Sequence, residues 1–248
     1  MLERVKNKLG SVLNAGKRKA LLAKLTSSDR ELMSLIHSRK LTYLSDVKLA
    51  SITATCRSIE ENNLEGLFVE AGCALGGSAI LMASLKRPLR PFFIYDVFDM
   101  IPPPTNKDTQ DVHDRYRTIR EGKSKGIAGD QYYGYVKNLY EVVQDNFRSF
   151  GIDQDNENVS LIKGLVQDTM IITQPVAFAH VDVDWYEPVA TCLERLFPHL
   201  IIGGSIILDD YHAYGGCRKA TDEFLRRVVG QCVLDDSAGT LKITRLAK

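Results

Sequence analysis

The sequence predicts a doubly wound α/β domain with a mostly parallel, seven-stranded sheet, and three segments carry this prediction. Residues 68–80 (FVEAGCALGGSAI), 177–188 (AFAHVDVDWYEP) and 203–211 (GGSIILDDY) each read as a buried strand next to glycines or carboxylates. Continuous apolar strands are typical of parallel sheets, and such sheets bind ligands beyond the carboxyl ends of their strands. The pattern therefore indicates one ligand-binding edge, with a glycine-rich turn and a group of acidic residues.

The chain opens with a basic stretch. Its first 25 residues hold seven Lys or Arg and one acidic residue, and Leu2, Val5, Leu9 and Leu13 lie near helical spacing. We interpret this stretch as a solvated terminal helix, because charge runs are usually solvated. A basic amphipathic helix for an anionic surface or a partner is the alternative.

Two further helices are predicted before the first strand. Ser28 or Asp29 can cap the first of them, and the second covers Asp46 to Asn62. We expect residues 1–63 to form a helical segment that covers the mouth of the ligand site. Residues 64–248 are then expected to form the α/β domain.

From there the chain alternates strands and helices, as a doubly wound sheet requires. The predicted strands are Leu67 to Ala71, Phe92 to Val97, Val159 to Lys163, Val176 to Val183 and Ser205 to Leu208. The predicted helices are Ala79 to Leu85, Leu139 to Phe150, Pro188 to Leu196 and Arg218 to Val229. Two short strand-like runs on either side of residues 237–239 predict a closing antiparallel hairpin.

Residues 101–135 break this alternation. They open with three prolines, are rich in polar residues and end beside three tyrosines. An insertion of this length between a strand and a helix is more often functional than not, so we expect a lid or acceptor loop. A mobile surface excursion is the alternative.

Composition limits the classes of partner and compartment. The 248 residues carry a net charge of +1, which gives no global field for nucleic acid and favours a small-molecule ligand. The sequence lacks a continuous apolar run long enough to span a membrane. The five cysteines form no CxxC pair and match neither a zinc site nor a disulfide framework, so a cytoplasmic location is expected.

The first strand runs into a glycine-rich turn that contains Gly72, Gly76 and Gly77. Glycines just past a strand let a ligand approach the backbone, and the following helix N-terminus offers free N–H groups. The spacing is not GxGxxG, and tight strand-to-helix packing would also explain the glycines. Asp96 ends the second strand about 20 residues later, where a carboxylate binds ribose hydroxyls in dinucleotide-type folds. Helix capping by Asp96 is the alternative.

Four aspartates follow two strands that we expect to be neighbours. Asp182 and Asp184 lie two residues apart and so share one face, and Asp209 and Asp210 end the next strand. Adjacent strands are about 4.8 Å apart, so these carboxylates would crowd one small volume. Crowding raises carboxylate pKa values or recruits a cation, and hard oxygen ligands without cysteine favour Mg²⁺, Mn²⁺ or Ca²⁺ over zinc. Helix capping and pairing with Lys or Arg are the alternative.

The motifs VEAGCALGGSAI, IYDVFD, KGLVQDT, FAHVDVDWYEP and GGSIILDDYH, in this order, resemble those of the macrocin O-methyltransferase type, the TylF-like group. The resemblance covers about residues 41–224 and is most specific where DxD is followed by DDY. It implies a Rossmann-like class I methyltransferase fold, with S-adenosylmethionine and Mg²⁺ or another divalent cation as cofactors. It further implies that the acceptor is a hydroxyl of a sugar, in a natural-product glycoside or a glycan, and that the enzyme is a homodimer or larger homo-oligomer.

The resemblance also implies roles for individual residues. The residues expected at the cofactor are Glu70, Gly72, Gly76, Ser78, Asp96, Asp168 and Asp182. Among them, Asp96 would bind the ribose hydroxyls and Asp168 the adenine edge. The expected metal ligands are Asp182, Asp209 and Asp210, and Asp184 is the expected general base that removes the proton of the acceptor hydroxyl.

Other side chains flank the acidic group. We expect His180, on an apolar strand, to be a hydrogen-bonded structural residue, and His212 to be a contact of the acceptor or of the acidic group. An imidazole titrates near neutrality, so either histidine is an alternative base. Trp185 and Tyr186 are expected to shape the acceptor pocket, and plain packing is the alternative.

Three other functions stay open at this level. A catechol-type O-methyltransferase uses a related metal site, but it has an Asp-Asn pair and a lysine base, which this sequence lacks at residues 183–187. A nicotinamide-dependent dehydrogenase would need a GxGxxG turn, which is absent. A non-catalytic module that binds S-adenosylmethionine would keep the glycine turn without needing four aspartates at strand ends.

Overall fold

The computed structural model describes residues 14–154 and 156–247. The strands are β1 Leu67–Ala71, β2 Phe92–Asp96, β3 Val159–Lys163, β4 Val176–Val181, β5 Leu200–Leu208, β6 Cys232–Asp235 and β7 Leu241–Arg245. The helices are α1 (residues 14–23), α2 Ser27–Ser38, α3 Asp46–Glu61, α4 Gly77–Leu85, α5 Gln110–Arg120, α6 Leu139–Ser149, α7 Val166–Thr169, α8 Tyr186–Leu196 and α9 Gly215–Leu225. Short 3₁₀ turns cover Ile127–Gly129, Tyr133–Tyr135 and Phe197–His199.

The strands form one seven-stranded sheet in the order β3-β2-β1-β4-β5-β7-β6. The first five are parallel to one another, and β7 pairs antiparallel with both β5 and β6. The carboxyl ends of β1, β2, β4 and β5 therefore meet along one edge, with the reversal of strand order between β1 and β4. This arrangement confirms the predicted fold class and its closing hairpin.

Alternate residues of the buried strands face two separate apolar layers. Phe68, Phe178 and Ile207 pack against α2, α3, α4 and α6 on one side of the sheet. Val69, Ala179 and Ile206 pack against α7, α8 and α9 on the other. Burial on both faces explains why these strands are mostly apolar, with Glu70, His180 and Ser205 as buried polar exceptions.

Several predicted boundaries need correction. β4 ends at Val181 and β2 at Asp96, since the residues that follow turn away to form the ligand edge. β5 begins at Leu200, five residues earlier than predicted, because Gly203 and Gly204 interrupt its apolar pattern. The last long helix occupies Gly215–Leu225 instead of Arg218 to Val229. The predicted amphipathic stretch with Leu2, Val5, Leu9 and Leu13 lies outside the described residues.

Residues 101–135 contain a helix, α5, that the sequence pattern did not predict. Within α5 only Val112 and Ile119 are buried, so its apolar stripe is too short to stand out. They join Ile101, Tyr132 and Trp185 in a small apolar cluster of their own. The Asp111 carboxylate accepts a hydrogen bond from the Gly215 backbone N–H at 2.9 Å, which holds the start of α5 against α9.

Helices α2 and α3 are joined by an ion pair. The cap of α2 is Thr26, not Ser28 or Asp29: the Thr26 hydroxyl accepts from the Asp29 N–H, and the Asp29 carboxylate accepts from the Thr26 N–H, a capping box. Asp29 is 2% exposed, and Arg57 of α3 donates to it through Nε at 3.1 Å and Nη2 at 2.5 Å. This pair fixes the position of α3, which reaches the ligand edge.

Replacing Asp29 with asparagine is expected to lower the free energy of unfolding by about 1–3 kcal/mol, because Arg57 would lose a buried charged acceptor. Burial tends to raise the pKa of Asp29, but Arg57 and Thr26 outweigh it and hold the pKa below its ordinary value of 3.8. The contribution of the ionised group is thus present above pH 3.8 and is lost as the pH falls through the lowered native pKa. Urea unfolding of the wild type and of Asp29→Asn, at pH 7 and at acid pH, measures the difference in the free energy of unfolding. Asp46→Asn, at an exposed carboxylate, is the matched control, and equal midpoints for the two variants at pH 7 would contradict the assignment.

Among residues 14–154 and 156–247, every helix is too short or too polar to cross a lipid bilayer.

Candidate active site

The turn after β1 requires glycine at Gly72. Its φ is +82°, a conformation that residues with a side chain rarely adopt, and an added Cβ would lie 1.9 Å from the backbone oxygen of Asp182. The Asp182 N–H donates to the Ala71 carbonyl at 2.8 Å across the same contact. The ends of β1 and β4 thus touch backbone to backbone, which brings the glycine turn against the acidic residues.

Residues 41–44 close over the same turn. The Gly77 N–H donates to the Leu41 carbonyl at 3.1 Å, and a Cβ on Gly77 would lie 2.5 Å from that oxygen. Gly76, with φ of +89°, caps α4. Gly77 therefore allows close packing of the segment before α3, in addition to any role in binding.

Asp96 holds the glycine turn in place. Its carboxylate accepts hydrogen bonds from the backbone N–H groups of Cys73 at 2.7 Å, Ala74 at 3.2 Å and Phe98 at 2.7 Å. Burial raises the pKa of Asp96, although these three donors oppose the effect. Asp96 thus organises the backbone of the binding turn, and its predicted contact with ribose stays a prediction. Asp99, three residues later, was not predicted; it lines the cavity that is described below as cavity A.

Three carboxylates come together at the ends of β4 and β5. One oxygen each of Asp182, Asp184 and Asp210 lies within 4.8 Å of the other two, a spacing suited to a metal ion. Burial, reinforced by the charge of Asp210, raises the pKa values of Asp182 and Asp184 well above the ordinary range. Burial and the charge of Asp209 raise the pKa of Asp210 to about 6. The group is therefore costly without a cation or protons.

Asp209, the other predicted metal ligand, lies beside this group, and its role as a ligand stays a prediction. Its Oδ2 atom accepts a hydrogen bond from Lys48 Nζ of α3 at 2.6 Å, and its buried Oδ1 atom has no hydrogen-bond partner among the described residues. Burial alone would raise the pKa of Asp209, but His180 and Lys48 together hold it below its ordinary value. A lysine 161 residues away in the sequence thus pairs with one of the four aspartates.

Glu70 and His180 form a pair inside the sheet. His180 Nδ1 lies 2.8 Å from Glu70 Oε1, and both side chains are completely buried. Burial alone would lower the pKa of His180, but its two carboxylate neighbours, Asp209 and Glu70, raise it to about 9. His180 is a hydrogen-bonded structural residue, as predicted. Glu70 lines neither cavity described below, so its predicted contact with the cofactor stays a prediction.

Two cavities meet at the ligand edge. The first, cavity A, is a cleft of about 700 Å³ that includes space open to solvent, and it extends over β1, β2 and β4 toward residues 164–167 and the proline stretch. The second, cavity B, is a similarly open cleft of about 890 Å³ that contains the carboxylates, Lys48, Arg115 and an aromatic wall. The residues that line both are Gly72, Asp96, Tyr133, Asp182, Asp184 and Trp185. Two molecules placed in A and B would therefore meet beside Asp184.

Asp184 stands at this junction in an unusual backbone conformation. Its φ is +55°, in the left-handed region that costs energy for a residue with a side chain. Its N–H also stabilises the Asp210 carboxylate. Strained backbone of this kind clusters at functional sites. The turn directs the Asp184 carboxylate toward both cavities.

Other predicted residues lie away from the cavities. Ser78 is buried within α4, and Asp168 is exposed on α7, where its neighbour Gln167 lines cavity A instead. Gln167 has a buried Oε1 without a hydrogen-bond partner among the described residues, as expected of a group that awaits a ligand. His212 faces Asp236 at 3.8 Å, outside both cavities. The roles predicted for Ser78 and Asp168 stay predictions.

The aromatic residues also differ in whether they line a cavity. Trp185 lines both cavities, and its Nε1 donates to the Pro102 carbonyl at 3.0 Å, so it ties the insertion to the site. Tyr186 turns away and donates to Glu223 at 2.5 Å. Tyr132, at the end of the predicted acceptor loop, lines cavity B, and sequence reasoning missed Tyr43 and Tyr214, which line it too. A lone tyrosine in a loop carries no signal that places it at a site.

The acidic group fits a divalent cation. Asp210 Oδ2 is buried without a hydrogen-bond partner in the part of the chain that the structure describes. The surrounding donors are carboxylate oxygens, and no cysteine lines cavity B. Hard oxygen donors of this kind suit Mg²⁺, Mn²⁺ or Ca²⁺.

Comparisons with known proteins agree with this geometry. The profile of the family described as Macrocin-O-methyltransferase (TylF) matches residues 15–231. Demethyldecarbamoylnovobiocin O-methyltransferase of Streptomyces niveus is 30% identical over 192 residues, which are 74% of this chain and 67% of that protein. The 8-demethyl-8-(2,3-dimethoxy-alpha-L-rhamnosyl)-tetracenomycin-C 4'-O-methyltransferase of Streptomyces olivaceus is 28% identical over 186 residues, 73% of this chain and 66% of that protein. The alignments thus span about two thirds of each relative.

The fold also matches solved structures. The structure of the O-methyltransferase NovP superimposes with a TM-score of 0.70 at 24% identity, covering 84% of this chain and 83% of that one. At this identity the match establishes the arrangement of the sheet and its helices.

Proposed function

The chain belongs to the macrocin O-methyltransferase (TylF) family of S-adenosylmethionine-dependent O-methyltransferases, and from that premise we propose that it methylates a hydroxyl of a sugar in a glycoside. The observation that carries the proposal is the junction of cavities A and B at Asp184. By their names, the two relatives act on demethyldecarbamoylnovobiocin and on a rhamnosyl tetracenomycin, which supports a natural-product glycoside as acceptor.

We propose that cavity A takes the adenosyl part of the cofactor and cavity B the acceptor. Gly72 lets the ends of β1 and β4 touch at the junction of the cavities, and Asp96 fixes the turn that would border the cofactor. Gln167 offers its unpartnered Oε1 atom to the exocyclic amine of adenine. The aromatic wall of cavity B suits the apolar faces of a sugar ring and excludes water from the junction.

The proposed chemistry needs one proton acceptor. S-adenosylmethionine would supply the methyl group, and a divalent cation, which Asp182, Asp209 and Asp210 would hold, would supply Lewis acidity toward the acceptor hydroxyl. Asp184 takes the hydroxyl proton as the oxygen–methyl bond forms and the sulfur–methyl bond breaks. Trp185 and the insertion hold the acceptor close to the methyl group, so that most of the acceleration comes from positioning.

Calorimetric titration tests the cofactor first. The full chain is expected to bind S-adenosylmethionine at micromolar concentration, with and without EDTA, and not to bind NAD⁺, used as the control. With Mg²⁺ and a panel of glycosides, mass spectrometry is expected to show the addition of one methyl group to an acceptor, and EDTA is expected to abolish it. Absence of cofactor binding in both conditions would contradict the proposed function.

We also propose that the enzyme is a homodimer or larger homo-oligomer, as the family resemblance implies, and that it is cytoplasmic, as its cysteine pattern indicates. Size-exclusion chromatography with light scattering gives the mass directly. A monomer at micromolar concentration would contradict the oligomeric part of the proposal and leave the catalytic part intact.

A further inference from the structure

Helix α5 carries three arginines with different surroundings. Arg117 pairs with Asp114 of the same helix at 3.1 Å, and Arg117 and Arg120 line a separate outer cleft. Arg115 lies on another face of α5, is half-buried and lines cavity B. Arg115 is therefore the arginine of the insertion that reaches the proposed acceptor cavity.

Two tyrosines surround the Arg115 side chain. Its guanidinium carbon lies 5.5 Å from the centre of the Tyr132 ring, within the range of a cation–π contact. Burial and the charge of Asp184 raise the pKa of Tyr214 to about 12, and the nearby Arg115 opposes this rise. Both tyrosines also line cavity B. Aromatic side chains thus position the guanidinium at the wall of this cavity.

The Arg115 guanidinium has donors to spare. In residues 14–154 and 156–247 it forms no ion pair, whereas Lys48, the other basic residue that lines cavity B, lies 2.6 Å from Asp209. Trp185 Nε1 is also occupied, since it donates to the Pro102 carbonyl at 3.0 Å. A guanidinium carries five N–H donors in a planar fork, so Arg115 can donate to a ligand in the cavity.

The charged groups of cavity B are mostly acidic. The aspartates that line it are Asp96, Asp182, Asp184, Asp209 and Asp210. An ionised carboxylate accepts hydrogen bonds only, so it can bind the O–H of a sugar but cannot donate to a sugar oxygen. Like charges repel, so the same carboxylates disfavour an acceptor that is itself an anion. The cavity therefore suits a neutral sugar, and Arg115 supplies the donors that its oxygens need.

We infer that Arg115 is a specificity-determining residue for the acceptor, which donates hydrogen bonds to an oxygen of a neutral sugar other than the hydroxyl that is methylated. An acceptor in cavity B covers the half-buried guanidinium, and a charge that is covered without a partner is costly. A site of this kind rejects an analogue that leaves its polar group unpaired. The inference rests on the proposed function, in which cavity B takes a sugar.

Binding of methyl glycosides to the full chain tests the inference, with Mg²⁺ and with S-adenosylhomocysteine in place of the methyl donor, so that no transfer occurs. The neutral probes are methyl α-L-rhamnopyranoside and methyl β-D-glucopyranoside, and methyl β-D-glucuronide is the anionic counterpart of the second. In calorimetry the wild type is expected to bind a neutral probe more tightly than the glucuronide. Trp185, the single tryptophan of the chain, lines cavity B, so its fluorescence is expected to change on binding.

Arg115→Met removes the donors and keeps an apolar side chain. It is expected to raise the dissociation constant of the better neutral probe at least about tenfold, because hydrogen bonds to charged groups contribute on that order. The affinity for S-adenosylhomocysteine is expected to stay within about twofold. Arg115→Lys keeps the charge without the fork and is expected to lose at least about threefold. Arg117→Met, which removes the exposed pair with Asp114, is the matched control on the same helix and should change neither constant.

The outcomes separate the inference from the proposed function. Unchanged binding of the neutral probe by Arg115→Met would overturn the inference. So would tighter binding of the glucuronide by the wild type that is lost in Arg115→Met, since Arg115 would then bind an anion. An equal loss of affinity for S-adenosylhomocysteine would show a structural role and would also overturn it.

The lysine variant keeps the test decisive if Arg115→Met does not fold, because full affinity of Arg115→Lys for the neutral probe would contradict a role of the fork. Binding of no glycoside by the wild type would contradict the proposed acceptor, and the inference would fall with it. In that case the titration with S-adenosylmethionine shows separately whether the cofactor part of the proposed function holds.

Discussion

Replacing Asp184 with asparagine is expected to lower kcat by about 10²- to 10⁴-fold while the affinity for S-adenosylmethionine stays nearly unchanged, because general base catalysis contributes on that order. Asparagine keeps the size of the side chain and tolerates the φ of +55° at this position, so the turn that supports Asp210 is preserved. What the substitution removes is the group that accepts the hydroxyl proton.

Steady-state kinetics with a glycoside acceptor, together with calorimetry for the cofactor, measures the effect. Asp145→Asn, at an exposed carboxylate of α6 that pairs with Arg148, is the matched control and should leave kcat unchanged. Because Asp184 lies within the trio of carboxylates, the kinetics are repeated at saturating Mg²⁺. Recovery of kcat at high Mg²⁺ would identify Asp184 as a cation ligand and would contradict its role as base.

Replacing Gly72 with alanine is expected to abolish detectable binding of S-adenosylmethionine and to lower the free energy of unfolding by at least about 3 kcal/mol, a loss typical of severe backbone and packing damage. Two costs add at this position. The φ of +82° disfavours any side chain, and the new Cβ would lie 1.9 Å from the backbone oxygen of Asp182. Since backbone cannot move aside easily, β1 and β4 would separate at the point where the two cavities meet.

Gly239→Ala separates these two costs. Gly239 has nearly the same φ, +83°, but nothing lies within 4 Å of an added Cβ. This control is expected to cost only about 1 kcal/mol, the conformational term alone, and to leave cofactor binding intact. Urea unfolding and calorimetry measure both variants. If Gly72→Ala binds the cofactor as the wild type does, the turn after β1 is not part of the binding site.

Much of the fold follows from local sequence. β1 and β3 have the predicted bounds because short runs rich in apolar and β-branched residues are followed by glycine, Gly72 after β1 and Gly164 after β3. β5 was predicted too short and α5 not at all, since two glycines break one pattern and only two buried residues mark the other. Local patterns identify elements whose own residues show a clear apolar period, and they miss elements that have few apolar residues and are held by contacts with distant parts of the chain.

The candidate site likewise has features that the sequence predicted and features that it did not. The sequence placed Asp182, Asp184 and Asp210 at one edge of the sheet, as the structure has them, but Asp182 and Asp184 follow β4, so a turn and not the strand period brings them together. The sequence alone did not show that Asp209 pairs with Lys48, because α3 brings that lysine to the sheet edge from a distant part of the chain. It also favoured Asp168 where the structure presents Gln167, since one residue changes the face of a short helix.

The sequence by itself therefore determined the class of fold, the succession of buried strands along the chain and the presence of an acidic edge beside a glycine turn. These features depend on residue type and on spacing along the chain, which periodicity reads directly. Only the tertiary structure decided the pairing of Asp209 with Lys48, the burial of Glu70 against His180 and the meeting of two cavities at Asp184. Those features depend on which distant side chains packing brings within hydrogen-bond distance, and no local pattern of a single sequence encodes that distance.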